Sequence, residues 1–325
     1  MKLPRRRFLH LAAGAAALPA LSRIASALDY PTRPVHLIVG FFAGGLTDIL
    51  ARLLSPSLSE RLGQQFIVED QPGAGTNLAA QAVVRALPDG YTLLMATSTN
   101  AINATLYDKL KFNFIRDTAP IASIARTPLV MVVNPSFPTK TVLDFITYAK
   151  ANPGKINMAT AGVGSGPHLY GELFKMMAGV DLVTVNYRGS ALALPDLIGG
   201  QVQVMFDVVI SSIGHIRAGK LRPLGVTTTT RLDVLPDVPP IGDFVSGYEA
   251  SSWGGIGAPV GTSPEIITVL NREVNAALVD PMFKARLADL GVDPFASSPA
   301  EFGKFIVEFT EKWAKVIQAA DIKAE

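Results

Sequence analysis

The stretch Val39-Gly-Phe-Phe-Ala-Gly-Gly-Leu-Thr-Asp48 decides the fold class, because an apolar run breaks at glycines there and a helical pattern follows. Upstream, Val35–Val39 is typical of a short buried strand. Downstream, apolar residues recur at three- and four-residue spacing over residues 46–58, which predicts a helix with one apolar face. The stretch therefore predicts a strand, a glycine turn and a helix, the basic unit of an α/β protein.

The turn has the parts of an anion-binding corner. Gly44 and Gly45 let the backbone turn sharply and leave room for a ligand, and we expect an oxygen of Thr47 or Asp48 to cap the helix. Free N–H groups and the helix dipole point outward at a helix start, where they favour negative charge. From this corner alone, a strand-to-helix turn without a ligand remains the alternative.

Residues 1–27 have the pattern of a secretory signal. Five basic residues and no acidic one accompany an apolar run and a small-residue ending, Ala25-Ser-Ala27. The segment Arg5-Arg-Arg-Phe-Leu9 resembles the twin-arginine export motif, with general secretory export as the alternative. We expect cleavage after about Ala27 and a mature protein in the periplasm.

Composition excludes several classes of function. Removing the five basic residues of the signal leaves 24 basic and 27 acidic residues, which argues against a nucleic-acid partner. The chain has no cysteine, so disulfides, metal thiolates and thiol nucleophiles are excluded. No two histidines have metal-ligand spacing, and we expect neither a metal nor a cofactor. The remaining length is enough for two domains.

Further corners follow other predicted strands of the first half. Short apolar runs alternate with helical patterns, which predicts parallel α/β sheets. Pro72-Gly-Ala-Gly-Thr-Asn77 follows a strand at 65–69, and Thr97-Ser-Thr-Asn100 follows a strand at 91–96. Open α/β sheets bind ligands at the carboxyl ends of their strands. The candidate binding residues here are Gly75, Asn77, Ser98 and Asn100.

The second half has the same pattern, in which a predicted strand is followed by a corner with glycines or polar residues. Strands are predicted at 129–133, 156–161, 183–187, 202–207 and 221–228, and the last helices at 264–278, 281–290 and 299–319. Gly162-Val-Gly-Ser-Gly-Pro-His168 and Arg188-Gly-Ser190 each follow one of these strands, and Asp207 ends another. The candidate binding residues are Ser165, His168, Arg188, Gly189, Ser190 and Asp207.

These side chains are compatible with two kinds of function. A hydrolase would use Ser165, His168 and Asp207 as a triad. However, Val163 and Pro167 stand where a nucleophile elbow needs glycines. A binding protein needs only donors, and three or four hydrogen bonds to a carboxylate at about 1.5–3 kcal/mol each approach the ~8 kcal/mol of a micromolar complex. The donors therefore favour binding of a carboxylate without catalysis.

Over nearly its whole mature length the chain resembles the Bug-type extracytoplasmic solute receptors, the binding proteins of tripartite tricarboxylate transporters. The resemblance is carried by these segments, in this order: Phe41-Phe-Ala-Gly-Gly-Leu-Thr-Asp-Ile-Leu-Ala-Arg52, Pro72-Gly-Ala-Gly75, Pro88-Asp-Gly-Tyr-Thr-Leu-Leu94, Gly164-Ser-Gly-Pro-His168, Tyr187-Arg-Gly-Ser190, Gly199-Gly-Gln-Val202, Phe206-Asp207 and Trp253-Gly-Gly-Ile-Gly-Ala-Pro259. The combination is specific, whereas each segment alone is not.

The resemblance implies a type II periplasmic binding protein fold, with two doubly wound α/β domains, a cleft between them and crossing hinge strands. The implied domains are 28–133 plus 249–325 and 134–248. The cleft would close on a small di- or tricarboxylate or an aromatic diacid, held by the first two corners and approached by Ser165, the Gly189 loop and Asp207. The partners would be this acid and the membrane subunits of the transporter, and we expect a monomer. A signalling receptor of the same fold remains an alternative.

Phe42 departs from the family pattern, because it stands where a proline is frequent. Its phenyl ring is therefore expected to narrow the cleft or to stack on an aromatic acid.

Overall fold

The structure is a computed structural model that describes residues 29–107 and 109–324. The predicted signal segment, its twin-arginine motif and its cleavage site lie outside the described residues. Among the described residues, no helix combines the length and the apolar character that crossing a membrane requires.

The described chain alternates strands and helices. The strands are β1 (Val35–Val39), β2 (Phe66–Asp70), β3 (Thr92–Thr97), β4 (Thr118–Val133), β5 (Asn157–Thr160), β6 (Val183–Asn186), β7 (Val204–Val208), β8 (Arg222–Val226), β9 (Ser251–Pro259) and β10 (Asp293–Pro294). The helices are α1 (Leu46–Leu62), α2 (Asn77–Val84), α3 (Ser98–Leu106), α4 (Phe114–Asp117), α5 (Val142–Ala151), α6 (Gly166–Ala178), α7 (Ser190–Ile198), α8 (Val209–Arg217), α9 (Pro264–Val279), α10 (Pro281–Asp289) and α11 (Pro299–Ala319). Short 3₁₀ turns occupy Ala74–Thr76 and Ile241–Asp243.

One continuous strand order, β2-β1-β3-β9-β4-β7-β5-β6, runs through the molecule. In its first half, β1, β2 and β3 are parallel, and β9 lies antiparallel to β3. In its second half, β5, β6 and β7 are parallel. Because parallel strands need crossover connections, the helices lie between them in the chain, as the alternating sequence pattern predicts.

Strand β4 joins the two halves. Its residues from Thr118 to Pro128 pair antiparallel with β9, and its residues from Leu129 to Val133 pair antiparallel with β7. The chain returns through β9, whose Ser251 pairs with Pro128. The chain therefore crosses between the halves twice, once as strand β4 and once in the segment that leads into β9, as the fold class predicts.

These pairings fix the direction of every strand end. Strands β3 and β4 both run antiparallel to β9, so β1, β2 and β3 run in the direction of β4, toward the second half. Strands β5, β6 and β7 run against β4, toward the first half. The carboxyl ends of both sets of parallel strands consequently face each other where β4 crosses.

Apolar side chains bury both faces of the sheets. One cluster contains Leu37, Leu54 and Leu270 of the first half, and another contains Val130 and Leu197 of the second half. The largest cluster runs through both halves. It includes Tyr170 of α6 and Trp313 of α11, whose ring centroids lie 4.7 Å apart. Helix α11 therefore ties the two halves together on one face.

The sequence predicted most of these elements. The strands at 65–69, 91–96, 183–187 and 202–207 are confirmed within two residues, and the three C-terminal helices begin at their predicted prolines. The first part of β4 and helices α3, α4, α7 and α8 were not predicted. The apolar face of α1 is confirmed at Leu50, Leu54 and Leu58, whereas Ile49 is exposed.

The glycines of β9 generate a test of the core packing. A Cβ on Gly255 would lie 2.7 Å from the backbone oxygen of Ala122 and would overlap the ring of Phe302. A Cβ on Gly254 would meet Met95 and Leu50 at ordinary contact distance. We expect Gly255→Ala to lower the free energy of unfolding by about 1–3 kcal/mol, because overpacking forces backbone shifts.

Gly254→Ala is the matched control in the same strand. We expect it to change stability by less than about 1 kcal/mol, since the methyl group fits and the unfolded chain loses freedom. Urea unfolding of both variants measures the difference. Equal effects would contradict the packing of Gly255 against Ala122.

Candidate functional site

Three corners of the first half and two of the second meet at the crossing of β4. The corners follow β1, β2 and β3 on one side and β5 and β6 on the other. The loop after β5 contacts the first half directly, because a Cβ on Gly164 would overlap the side chain of Leu106. The structure thus brings the predicted corners together.

An internal ion network holds the first corner. The N–H of Gly44 donates to Asp48 Oδ2 at 2.7 Å, and Arg52 Nε lies 2.6 Å from Asp48 Oδ1. Arg52 Nη2 also donates to Asp70 Oδ2 at 2.8 Å. Burial, followed by the negative charge of Asp48, raises the pKa of Asp70. Asp48 therefore stabilises the turn, and Arg52 links it to the end of β2.

The predicted cap of α1 is wrong. Residue Gly45 is the N-cap and no side chain caps the helix, because the Asp48 carboxylate lies in the first turn and bonds back to Gly44. Thr47 is half-buried, and Phe42 is 78% exposed on the preceding loop.

The second corner has an unusual backbone. Ala74, Gly75 and Thr76 all have positive φ, at 46°, 59° and 76°. Such a run is strained for non-glycine residues and persists only where other contacts hold it. Asn103 Nδ2 donates to the carbonyl of Gly75 at 2.5 Å, and Asn100 Nδ2 donates to Thr76 Oγ1 at 2.9 Å. Two asparagines of α3 therefore hold this turn.

Asn77 begins α2 and carries an unpartnered donor. Asn103 Nδ2 donates to Asn77 Oδ1 at 3.0 Å, which fixes the orientation of the Asn77 amide. The other amide atom, Nδ2, is buried and has no hydrogen-bond partner among the described residues, and the residue is only 6% exposed. A buried amide donor normally has a partner, so this atom is suited to an acceptor from outside the chain.

In the third corner, the polar side chains hydrogen-bond within the corner. Asn100 Oδ1 accepts from the N–H and the hydroxyl of Thr97 at 2.9 and 3.1 Å, so the pair forms a capping box at the start of α3. Thr97 to Asn100 is thus the end of β3 and a helix start, not a loop. Ser98 is buried.

The fourth corner starts α6. Ser165 is the N-cap, and its hydroxyl donates to the carbonyl of Gly162 at 2.7 Å. His168 is buried, and its Nδ1 accepts from the N–H of Gly164 at 3.1 Å. Burial lowers the pKa of His168, and nearby Glu172 opposes this shift. His168 is therefore a neutral acceptor that stabilises the glycine loop.

These bonds do not form the triad of the hydrolase alternative. The ring of His168 faces Gly164 at Nδ1, and its Nε2 lies 3.9 Å from Glu172 Oε1. Ser165 bonds to the backbone of its own turn, and Asp207 bonds to two other serines. The side chains of the three residues therefore have other partners.

The fifth corner contains Arg188, Gly189 and Ser190 and begins α7. Ser190 Oγ donates to Asp207 Oδ1 at 2.5 Å, and Ser212 of α8 donates to Oδ2 at 2.7 Å. Asp207 is fully buried, and burial raises its pKa although both hydroxyls oppose the shift. Arg188 is exposed, and a Cβ on Gly189 would meet no atom within 4 Å. Asp207 therefore anchors the starts of α7 and α8.

Sequence reasoning missed the residues that hold these corners. They are Arg52, Asp70, Asn103, Tyr170, Ser212 and Ser252, of which Tyr170 and Ser252 are joined hydroxyl to hydroxyl at 3.0 Å. In the sequence, the polar residues at the predicted helix starts were the available signal for these contacts. The spacing of residues along the chain does not show which distant residues become their hydrogen-bond partners. Two concave regions, of about 640 and 590 Å³, lie elsewhere, beside α11 and between α1 and α10.

Comparison with known proteins defines the class. An α/β protein whose chain crosses twice between two halves with opposed helix starts has the architecture of a solute-binding receptor. The family model for the tripartite tricarboxylate transporter family receptor matches residues 50–322. The chain belongs to this family, whose members are extracytoplasmic solute receptors, and the resemblance to Bug-type receptors is confirmed. Protein BugT of Bordetella pertussis is 34% identical over 303 residues, 92% of each chain.

Solved structures agree with this assignment. R. palustris Rpa4515 with adipate is 38% identical with a TM-score of 0.80, covering 90% of this chain and 99% of that one. MatC from Rhodopseudomonas palustris with bound malate is 31% identical with a TM-score of 0.74, covering 89% and 100%. The two-domain periplasmic binding protein fold is therefore confirmed.

The burial of Asp207 generates a test by pH. Because burial raises the pKa of Asp207, the folded protein keeps the proton of this carboxyl group at pH values where the unfolded chain has lost it. Lowering the pH from the raised pKa toward the ordinary value of 3.8 therefore stabilises the fold. The Asp207→Asn variant has no carboxyl group at this position, so this protonation does not contribute to its stability. We expect the wild type to gain stability relative to Asp207→Asn as the pH falls through this window, measured by urea unfolding.

The same comparison in a His215→Gln background controls for the favourable charge of His215 on Asp207. A wild type that instead loses stability relative to Asp207→Asn toward low pH would show that the two serine hydroxyls outweigh burial.

Proposed function

We propose that this protein is a periplasmic receptor that captures a small organic carboxylate between its two halves. It then delivers the acid to the membrane subunits of a tripartite tricarboxylate transporter. Family membership supports the receptor role, and the transporter partner follows from the function of the family.

The unpartnered amide of Asn77 carries the proposal for the ligand. Its Nδ2 is a buried donor at the start of α2, oriented by Asn103 and next to a strained left-handed turn. Strain of this kind is concentrated at binding and active sites. A helix N-terminus favours negative charge, so a carboxylate oxygen is the acceptor that fits this donor.

The known ligands of relatives support the same chemistry. Rpa4515 was solved with adipate and MatC with malate, and both ligands are dicarboxylates. We therefore infer that a carboxylate is also bound here.

We further propose that capture is a closure of two domains, 28–133 with 249–325 and 134–248. The change of partner along β4, between Pro128 and Leu129, supports bending at the crossing strands. A signal removed after about Ala27 would place the mature chain in the periplasm.

The site residues divide by their contacts. We propose that Asn77, Arg188 and the backbone of Gly44, Gly45, Gly75 and Gly189 approach the ligand, together with Phe42, Thr47 and Ser98. Asp48, Asn100, Ser165, His168, Ser190 and Asp207 have internal partners, and we propose that they position the turns. In this proposal, substitutions in the second group act on affinity through the shape of the corners.

A charge substitution tests the role of Asn77. Asn77→Asp is nearly isosteric and replaces the free donor by a carboxylate oxygen, which repels an anion. We expect it to raise the Kd for adipate at least tenfold, since one bond to a charged group contributes about 1.5–3 kcal/mol. Isothermal titration calorimetry of the mature chain measures the Kd.

Asn113→Asp is the matched control, because it makes the same charge change at an exposed N-cap outside the corners. We expect it to leave the Kd within twofold. Equal affinities of Asn77→Asp and the wild type would contradict a ligand at α2, and circular dichroism confirms that both variants fold.

A further inference from the structure

Three of the anion-binding corners also carry an exposed large apolar side chain. Phe42 precedes the first corner and is 78% exposed. Leu78 is the second residue of α2 and is 53% exposed, and Leu192 is the third residue of α7 and is 59% exposed. Two of them belong to the first half and one to the second, so the apolar surface comes from both sides.

The positions of Leu78 and Leu192 in the first turns of their helices bring these two side chains toward the corners. In an α-helix the Cα–Cβ bond tilts toward the N-terminus, so a side chain in the first turn leans over the preceding loop. For Leu78 that loop is the left-handed turn at residues 74–76, and a Cβ on Gly73 would lie 2.6 Å from its Cδ1. For Leu192 it is the Gly189 turn, where added atoms would meet open space.

The corners contain little positive charge. Residues 41–48, 72–78, 97–103, 162–168 and 187–192 include one lysine or arginine, Arg188, and the nearby Arg52 is already paired with Asp48 and Asp70. The carboxylates of Asp48 and Asp207 in the same region are buried. A trianion enclosed there would leave charge without compensation, which is costly in a desolvated site.

We propose that the ligand is an amphiphilic carboxylate, with one or two carboxylates and an apolar aliphatic or aromatic body, and that Phe42, Leu78 and Leu192 contact this body. The inference rests on the proposed function and makes it more specific. The helix starts bind the carboxylates, and the three side chains select against hydroxylated or tricarboxylic acids, because polar groups placed against them lose hydrogen bonds to water.

Two ligands of equal length and charge test this selectivity. Adipate and galactarate are both six-carbon dicarboxylates, but galactarate carries four hydroxyl groups. We expect the mature wild-type chain to bind adipate at least tenfold more tightly than galactarate or citrate in isothermal titration calorimetry. Terephthalate, a rigid aromatic diacid, tests whether the apolar body can be a ring.

Variants then assign the preference to the three side chains. We expect Leu78→Ala and Leu192→Ala each to weaken adipate binding roughly threefold to tenfold, and Phe42→Ala about tenfold, in proportion to the apolar area removed. Galactarate binding should stay within twofold. Leu87→Ala is the matched control, because Leu87 is 72% exposed beyond the other end of α2, and it should change neither affinity.

The outcomes separate this inference from the proposed function. Tighter binding of adipate than of galactarate, lost in the three variants but kept in Leu87→Ala, supports the inference. Equal or tighter binding of galactarate or citrate overturns it and leaves the carboxylate receptor intact. Adipate binding that none of the three variants weakens overturns it as well. Failure of every acid to bind overturns both proposals.

Discussion

The antiparallel pairing of β4 with both β9 and β7 is the constraint on which the rest of the molecule depends. One long strand serves two sheets, and it sets their parallel strands in opposite directions. The carboxyl ends of all six parallel strands therefore meet at one place. A helix starts after each of these ends, so the positive ends of several helix dipoles face a common space from two sides. This arrangement favours an anionic ligand between the halves.

The polar side chains near these helix starts mostly bond to the protein itself. Asp48 bonds to Gly44, Asn100 joins two corners, and His168 and Asp207 each hold a glycine-containing turn. Such bonds fix the backbone before a ligand arrives, and preorganised donors lose little entropy on binding. The Asn77 amide differs, because one of its atoms is oriented by Asn103 and the other lacks a partner.

The sequence predicts the strands and helices well where periodicity is strong, as in α1 and the three helices that begin at Pro264, Pro281 and Pro299. It misses the first part of β4, which contains Pro120 and Pro128 and is buried without alternation. The corners were predicted from glycines and polar residues after strands. Their internal contacts were not predicted, because they include tertiary hydrogen bonds, from Arg52 to Asp70 and from Asn100 to Thr76. The predicted site residues and domain boundaries stay predictions.

A crystal structure of the mature chain with adipate tests the central claim most directly. We expect one ligand carboxylate within hydrogen-bonding distance of Asn77 Nδ2, and the ligand enclosed between the starts of α2 and α7. Adipate in the concave region beside α11, or bound without contact to the second half, would contradict a site formed by opposed strand ends.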